Sequence, residues 1–259
     1  MVIQIESTLD PRLAPYRDVG RPAALLERAL FVAEGRLVVE RLLADGRFAV
    51  ESILVTPAAF DALAGWLSAA PCDVLVADRQ VIEGVTGFDF HRGCLALARR
   101  PAREAPLDGF HAASRLLALE GVANPDNVGG LFRVASALGA DGVLLDHASG
   151  DPLYRKAIRT SMAASLRIPF TRLSDWHDSL GRLRAAGFRL VALTPASDAT
   201  AIASVSRGAK DILLLGAEAQ GLSDKTMALA DLRVRIPVDQ TADSLNVVVA
   251  AGIAMHVLR

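Results

Sequence analysis

At 259 residues, with 52% apolar and 22% charged side chains, the chain is too apolar for wholesale disorder and has the length of one or two domains. A net charge of −1 excludes a global electrostatic signature for nucleic acid or membrane surface, so any basic face has to be local. Two cysteines, Cys72 and Cys94, cannot form a zinc site unaided and their spacing matches no ligand pattern, no apolar run has the length of a membrane span, and the start carries no signal-peptide pattern; a cytoplasmic protein without a metal or membrane is predicted.

In chain order, residues 22–34 predict a helix that opens on Pro22 and carries Leu25, Leu26, Ala29 and Leu30. Residues 35–43 predict a second helix that stops near Asp45 and Gly46. Short buried strands are predicted over 53–55, 73–76 and 94–98, with a helix over 58–68. This half, 1–100, reads as a small α/β or α+β module. Prolines, a glycine and a run of charges then mark 101–111 as a linker. Beyond it, 112–259 alternates regularly. Strands are predicted over 116–119, 142–145, 189–193, 211–215 and 232–236, and helices over 127–138, 175–186, 222–229 and 244–257. The fold class is α/β: a mostly parallel sheet with helices on both faces, whose ligand site belongs in the loops at the carboxyl ends of its strands.

Three of those loops carry chemistry. The first runs from Glu120 through Gly121, Asn124-Pro125-Asp126-Asn127 and Gly129-Gly130 to Arg133. Asp126 or Asn127 suits its N-cap. Arg133 reads either as a helix-surface arginine with its head in water or as one facing the loop mouth to hold an anion. There is no GxGxxG and no GK[ST], which disfavours a nucleotide P-loop, and Asp146 alone does not make a dinucleotide-binding dehydrogenase. The second loop, Gly216-Ala217-Glu218-Ala219-Gln220-Gly221-Leu222, ends a buried strand with two glycines bracketing an acid. Glu218 accepts from a ligand amine or hydroxyl, or caps the helix near Leu222. The third runs from Ile236-Pro237-Val238 through Gln240 and Asp243 to Ser244-Leu245-Asn246-Val247; alone, it reads as a proline stop followed by a helix capped by Asp243 or Ser244.

Taken in order, these motifs resemble the SpoU-like RNA ribose 2′-O-methyltransferases of the trefoil-knot SPOUT superfamily. The likeness runs from about Ser114 to Arg259 and rests on Asn127 with Arg133, Gly216-Ala217-Glu218 with Gly221-Leu222, and Ile236-Pro237 with Ser244-Leu245-Asn246-Val247. Asp151-Pro152, the run 159–164 and Ile168-Pro169 are also similar. More weakly, residues 31–35 and 87–93 resemble the substrate-binding module, built like a small ribosomal protein, that many members carry.

The resemblance implies a deep C-terminal knot and a homodimer packed through the helix at 244–257. It implies S-adenosylmethionine held by Leu193, Thr194, Gly216, Ala217, Gly221, Ile236, Val238 and Leu245. Methyl transfer to a ribose 2′-hydroxyl of structured ribosomal or transfer RNA would then fall to Arg133, Asn127, Glu218, Ser244 and Asn246. Arginine is a poor base, so phosphate clamping or alkoxide stabilisation suits Arg133 better. For the RNA, Arg92, Arg155, Lys156 and Arg159 are the candidate contacts; residues 151–172 carry a net charge of +4, and His91, Arg92, Arg99, Arg100 and Arg103 make a second basic stretch. Each stretch reads equally as a solvated face. Val238, Gln240, Val248 and Ala163 depart from the usual methionine, glycine, serine and glycine. Gln240 in particular leaves open a non-catalytic RNA-binding relative of the same fold.

Overall fold

The structure is a computed structural model that describes residues 1–102, 104–239 and 244–258. The first elements in the chain are β1 (Val2–Ile5), α1 (Pro22–Glu27), β2 (Leu30–Glu34), α2 (Arg36–Asp45), β3 (Val50–Val55), α3 (Pro57–Ala62), α4 (Ala64–Leu67), β4 (Asp73–Ala77), α5 (Arg79–Thr86) and β5 (Cys94–Arg99). They build a mixed sheet in the order β1-β4-β3-β5-β2. β1 and β3 flank β4 in parallel, and β5 runs antiparallel to both β3 and β2. One face of this sheet buries Leu54, Leu75, Leu95 and Leu97 against Tyr16, Leu13 and Ile82.

The next elements are β6 (Arg115–Glu120), α6 (Pro125–Leu138), β7 (Gly142–Leu145), α7 (Arg155–Thr160), β8 (Phe170–Arg172), α8 (Trp176–Ala185), β9 (Arg189–Leu193), β10 (Thr200–Ala201), β11 (Asp211–Gly216), α9 (Asp224–Leu229), β12 (Leu232–Arg235) and α10 (Val247–Val257). All seven strands pair in parallel, in the order β10-β12-β9-β11-β6-β7-β8. The four central strands β9, β11, β6 and β7 are apolar runs largely buried on both sides, as parallel sheets require, whereas β8, β10 and β12 toward the edges are short and partly exposed. Leu116, Leu144, Leu190, Ile212 and Leu214 share one core with Trp176 and Leu180 of α8.

Two compact units result: residues 1–102 with 153–166, and 103–152 with 167–259. The segment 153–166, which contains α7, therefore folds with the first unit although the chain on both sides of it belongs to the second. It ends in a turn where Met162 and Ala163 both have positive φ, 53° and 65°. This backbone region costs an L-residue about 1 kcal/mol, a cost that a glycine at position 163 would avoid. Arg41 and Arg47, on and just beyond α2, donate to the carbonyls of Met162 and Leu166 and hold the turn in place.

Several sequence expectations need correction. The predicted helix over 22–34 ends at Glu27; Ala29 turns at φ 53° and 30–34 is a strand. Every residue of that strand is buried, so its continuous apolar run imitated one face of a helix. The helix over 58–68 breaks at Leu63, whose φ of −109° leaves the helical region. β1, β8, β10, α5 and α7 were not anticipated; they are short or lack a clean period. Among the described residues no helix is long and apolar enough to cross a membrane. Both cysteines are free thiols.

Candidate active site at the carboxyl ends of the parallel strands

β12, β9, β11 and β6 are consecutive neighbours, and their carboxyl ends deliver the residues that the sequence singled out. β9 ends at Leu193; the next residue, Thr194, donates its N–H to the Val234 carbonyl of β12 at 2.9 Å. β11 ends at Gly216, directly in register with Glu120 of β6. Ile236 follows β12. Leu193, Thr194, Gly216, Ala217, Ile236 and Leu245 are all partly exposed, and Val238 and Gly221 are exposed.

The loop after β11 folds back on itself. Gly221 has φ 67° and donates its N–H to Ala217 O at 2.8 Å. A Cβ at position 216 would lie 2.2 Å from the Gly221 carbonyl carbon and 2.4 Å from the Leu222 nitrogen, so only glycine fits there. Glu218 is thereby carried outward on a tight, preset loop.

The first loop meets it. Asn124, not Asp126 or Asn127, caps α6: its side chain accepts from Asp126 N–H at 2.9 Å, with Pro125 at the first helical position. That frees Asn127, buried in the first turn, to donate through Nδ2 to Glu218 Oε1 at 2.8 Å. From the third loop, Asn246 caps α10, accepting from Val248 N–H at 2.9 Å. Its Nδ2 donates to Glu218 Oε1 at 2.9 Å and reaches Asn127 Oδ1 at 3.0 Å. Three segments remote in sequence thus close on one carboxylate oxygen. The N-cap expected at Asp243 or Ser244 falls instead on Asn246 because α10 begins at Val247; Asp243, like Gln240 and Arg103, lies outside the described residues.

Arg133 and Ser244 do not join this cluster. Arg133 stands six residues beyond Asn127 on α6, about 120° round the helix and about 9 Å along it. It is exposed, with no hydrogen bond or ion pair among the described residues, so its donors are available to a ligand. Ser244 is exposed and makes no hydrogen bond to the cluster among the described residues.

Glu120 is the residue beside this site to which the sequence reading gave no role. Its Oε2 accepts from Ser223 N–H at 3.0 Å, and its Oε1 accepts from Ser223 Oγ at 2.7 Å and Thr226 Oγ1 at 2.9 Å. Ser223, not Glu218, caps α9, accepting from Thr226 N–H. Glu120 thereby anchors the far end of the loop that carries Glu218. An acid at the end of a buried strand, four residues before the turn-rich Asn124-Pro125-Asp126, was the signal available.

α10 is apolar on two faces. Val247, Ala251, Ala254 and Met255 are buried, and the helix packs so closely on α6 that a Cβ at Gly130 would meet Val248 Cγ2 at 2.7 Å. Val249, Ile253 and Val257 remain 51%, 37% and 38% exposed, a stripe with four-residue spacing.

The basic residues fall in two groups. Arg92, Arg155 and Arg159 gather round Glu34 in the first unit. Lys156 lies beside Arg155 on α7 and is half-buried. Arg172 is spent internally, donating to the carbonyls of Asp146, Ser149 and Gly150. His91 pairs with Asp89 and Arg99 with Glu51, so much of that second basic stretch is neutralised.

Residues 114–256 match the model of the SpoU rRNA methylase family. An uncharacterised tRNA/rRNA methyltransferase of Mycobacterium tuberculosis is 39% identical over 95% of this chain and 88% of its own length. A 23S rRNA (guanosine-2′-O-)-methyltransferase of Ralstonia nicotianae is 27% identical over 72% of this chain and 76% of its own. Among solved structures, an AdoMet-bound rRNA methyltransferase from Sinorhizobium meliloti superposes with a TM-score of 0.85 at 26% identity, covering 99% of this chain and 97% of that one.

Proposed function

The chain belongs to the SpoU rRNA methylase family, and from that membership we propose that it transfers the methyl group of S-adenosylmethionine to a ribose 2′-hydroxyl in structured ribosomal or transfer RNA. The observation that carries this reading is the closure of three loops on Glu218 through Asn127 and Asn246, at the strand ends where a parallel sheet binds its ligand. The Ralstonia relative's name supplies the 2′-O chemistry, and the Sinorhizobium neighbour supplies the cofactor.

The residues present fit that cofactor. Its adenosine is neutral and suits backbone groups beside small and apolar side chains, which is what Leu193, Thr194, Gly216, Ala217, Gly221, Ile236, Val238 and Leu245 offer. When bound, S-adenosylmethionine supplies an electrophilic methyl group. The chain's own work is orientation and charge. Asn127, Glu218 and Asn246 hold the three loops in one register, with Ser244 at their edge, so that the 2′-hydroxyl is presented in line. Arg133 stabilises phosphate and developing alkoxide charge through its fork of donors.

The exposed stripe Val249, Ile253 and Val257 supports a homodimer through α10, with Arg133 facing a site that the second copy completes. The last strands and α10 are taken to form the family's knot. Residues 1–100, with 153–166 folded onto them, serve as the RNA-binding module, 101–111 as the linker and the rest of 112–259 as the methyltransferase domain. Calorimetric titration tests the reading: S-adenosylmethionine should bind saturably and NAD should not. Binding of NAD, or of neither by folded protein, would overturn it.

A further inference from the structure

Glu34 ends β2 with its side chain only 5% exposed, and three arginines converge on it. Arg155 Nη1 bonds Oε2 at 2.8 Å while its guanidinium lies 4.2 Å from the centre of the Phe88 ring, so its charge is committed to the protein. Arg92 and Arg159 differ. Arg92 Nε stands 3.9 Å from Oε1 and Arg159 Nη1 stands 3.9 Å from Oε2, close enough for attraction and too far for a hydrogen bond. Their side chains are 51% and 35% exposed, and no other partner among the described residues takes up their donors. One buried acid against three arginines leaves a local charge of +2, with two unspent guanidinium forks on the solvent side.

A second feature reinforces it. α2 starts beside the cluster on Gly35, which has φ 100° and no side chain to cap the first-turn N–H groups. Arg92 crosses this start: a Cβ at Gly35 would lie 3.5 Å from Arg92 Cδ. The uncapped end of a ten-residue helix adds donors and positive potential to the same place.

We propose that Arg92 and Arg159, arrayed by the Glu34–Arg155 pair at the start of α2, clamp one backbone phosphate of the substrate RNA. Arg155 is the tie and not the contact, which separates the roles of residues that look alike in the sequence. The proposal rests on the RNA reading above, because an RNA phosphodiester is the anion that this reading brings to the first unit. Two guanidinium forks meeting one phosphate bind through four or so charge-assisted hydrogen bonds, irrespective of base identity.

The test is anisotropy titration of a fluorescein-labelled RNA hairpin at several KCl concentrations, with Arg92→Gln, Arg159→Gln and the double variant. Glutamine keeps the apolar stem and leaves Glu34 paired with Arg155. Each single variant should bind about tenfold more weakly and lower the slope of log affinity against log salt by about one. The double variant should lose little more than either single one, because both serve the same phosphate. S-adenosylmethionine affinity and melting temperature should not change. Single variants within about twofold of wild type, or additive losses in the double variant, would overturn the clamp while wild-type RNA binding and methylation leave the RNA reading standing. A wild-type protein that neither binds nor methylates RNA would overturn both.

Discussion

Replacing Asn246 with aspartate changes one atom of the site and reverses its hydrogen bonding. The cap of α10 survives, because a carboxylate oxygen accepts from Val248 N–H as the amide oxygen does. The other oxygen replaces Nδ2 and stands 2.9 Å from Glu218 Oε1 and 3.0 Å from Asn127 Oδ1, with no donor among the three. A carboxylate has no alternative end to turn inward. At this separation two unit charges repel by about 1.5 kcal/mol in water-like surroundings and about 6 at an effective dielectric of 20. Both side chains are exposed, so the lower range applies; with the lost charge-assisted bond, the total is about 2–3 kcal/mol.

Urea denaturation at pH 8 and pH 5 reads this directly. Glu218 raises the introduced carboxyl's pKa in the folded state, so folding takes up a proton as the pH falls. The deficit should be full at pH 8 and shrink by half or more at pH 5. Glu218→Gln in the same chain should restore stability at pH 8, since glutamine donates to Asp at 246 and still accepts from Asn127. Asn246→Ala, by contrast, should cost the cap, about 1 kcal/mol, at both pH values. A deficit for Asn246→Asp below about 0.5 kcal/mol at pH 8, or one that ignores pH, would refute the three-loop closure.

Three further outcomes are expected. Glu120→Gln leaves one acceptor oxygen for three donors where the carboxylate offers two, and the Ser223 and Thr226 hydroxyls must turn to accept; it should cost about 1–3 kcal/mol and weaken S-adenosylmethionine binding, and unchanged affinity would contradict its anchoring role. Cys94 is buried, which pushes its thiol up to about 12 from 9.0, so the folded state keeps the neutral form while the unfolded chain ionises first. Stability should therefore fall between about pH 9 and pH 12, less steeply in Cys94→Ala, with burial of Tyr16 acting in the same direction in both proteins; equal slopes in urea titrations would count against it. Ile253→Asp should convert a dimer to a monomer in sedimentation velocity, and a monomeric wild type would remove α10 as the interface.

The parallel-sheet half was legible because its four central strands are short apolar runs largely buried on both faces, separated by helices with one buried face. β2 was not: a strand wholly buried, directly after the helix Pro22–Glu27, has the composition of that helix's continuation, and only the turn at Ala29 separates them. Asn127, Glu218 and Asn246 could be picked by motif, yet their mutual bonds depend on where the helices start, and both caps sit two or three residues from the expected place. The role of Glu120 was hidden for another reason. Its partners Ser223 and Thr226 lie about a hundred residues away, and only the pairing of β6 with β11 brings them together. Arg133 showed the opposite limit. The motif places it with Asn127, whereas helical geometry turns it away from the cluster that Asn127 builds.

The central claim is ribose methylation, and alkaline hydrolysis tests it most directly, because a 2′-O-methyl group removes the nucleophile that cleaves the adjacent phosphodiester. RNA from a strain lacking the gene is incubated with the protein and S-adenosylmethionine carrying a tritiated methyl group, then digested with alkali. Label should appear in alkali-resistant dinucleotides and be lost in Arg133→Ala. Label confined to mononucleotides would make the enzyme a base methyltransferase, and no label from a protein that binds RNA would make it a non-catalytic member of the fold.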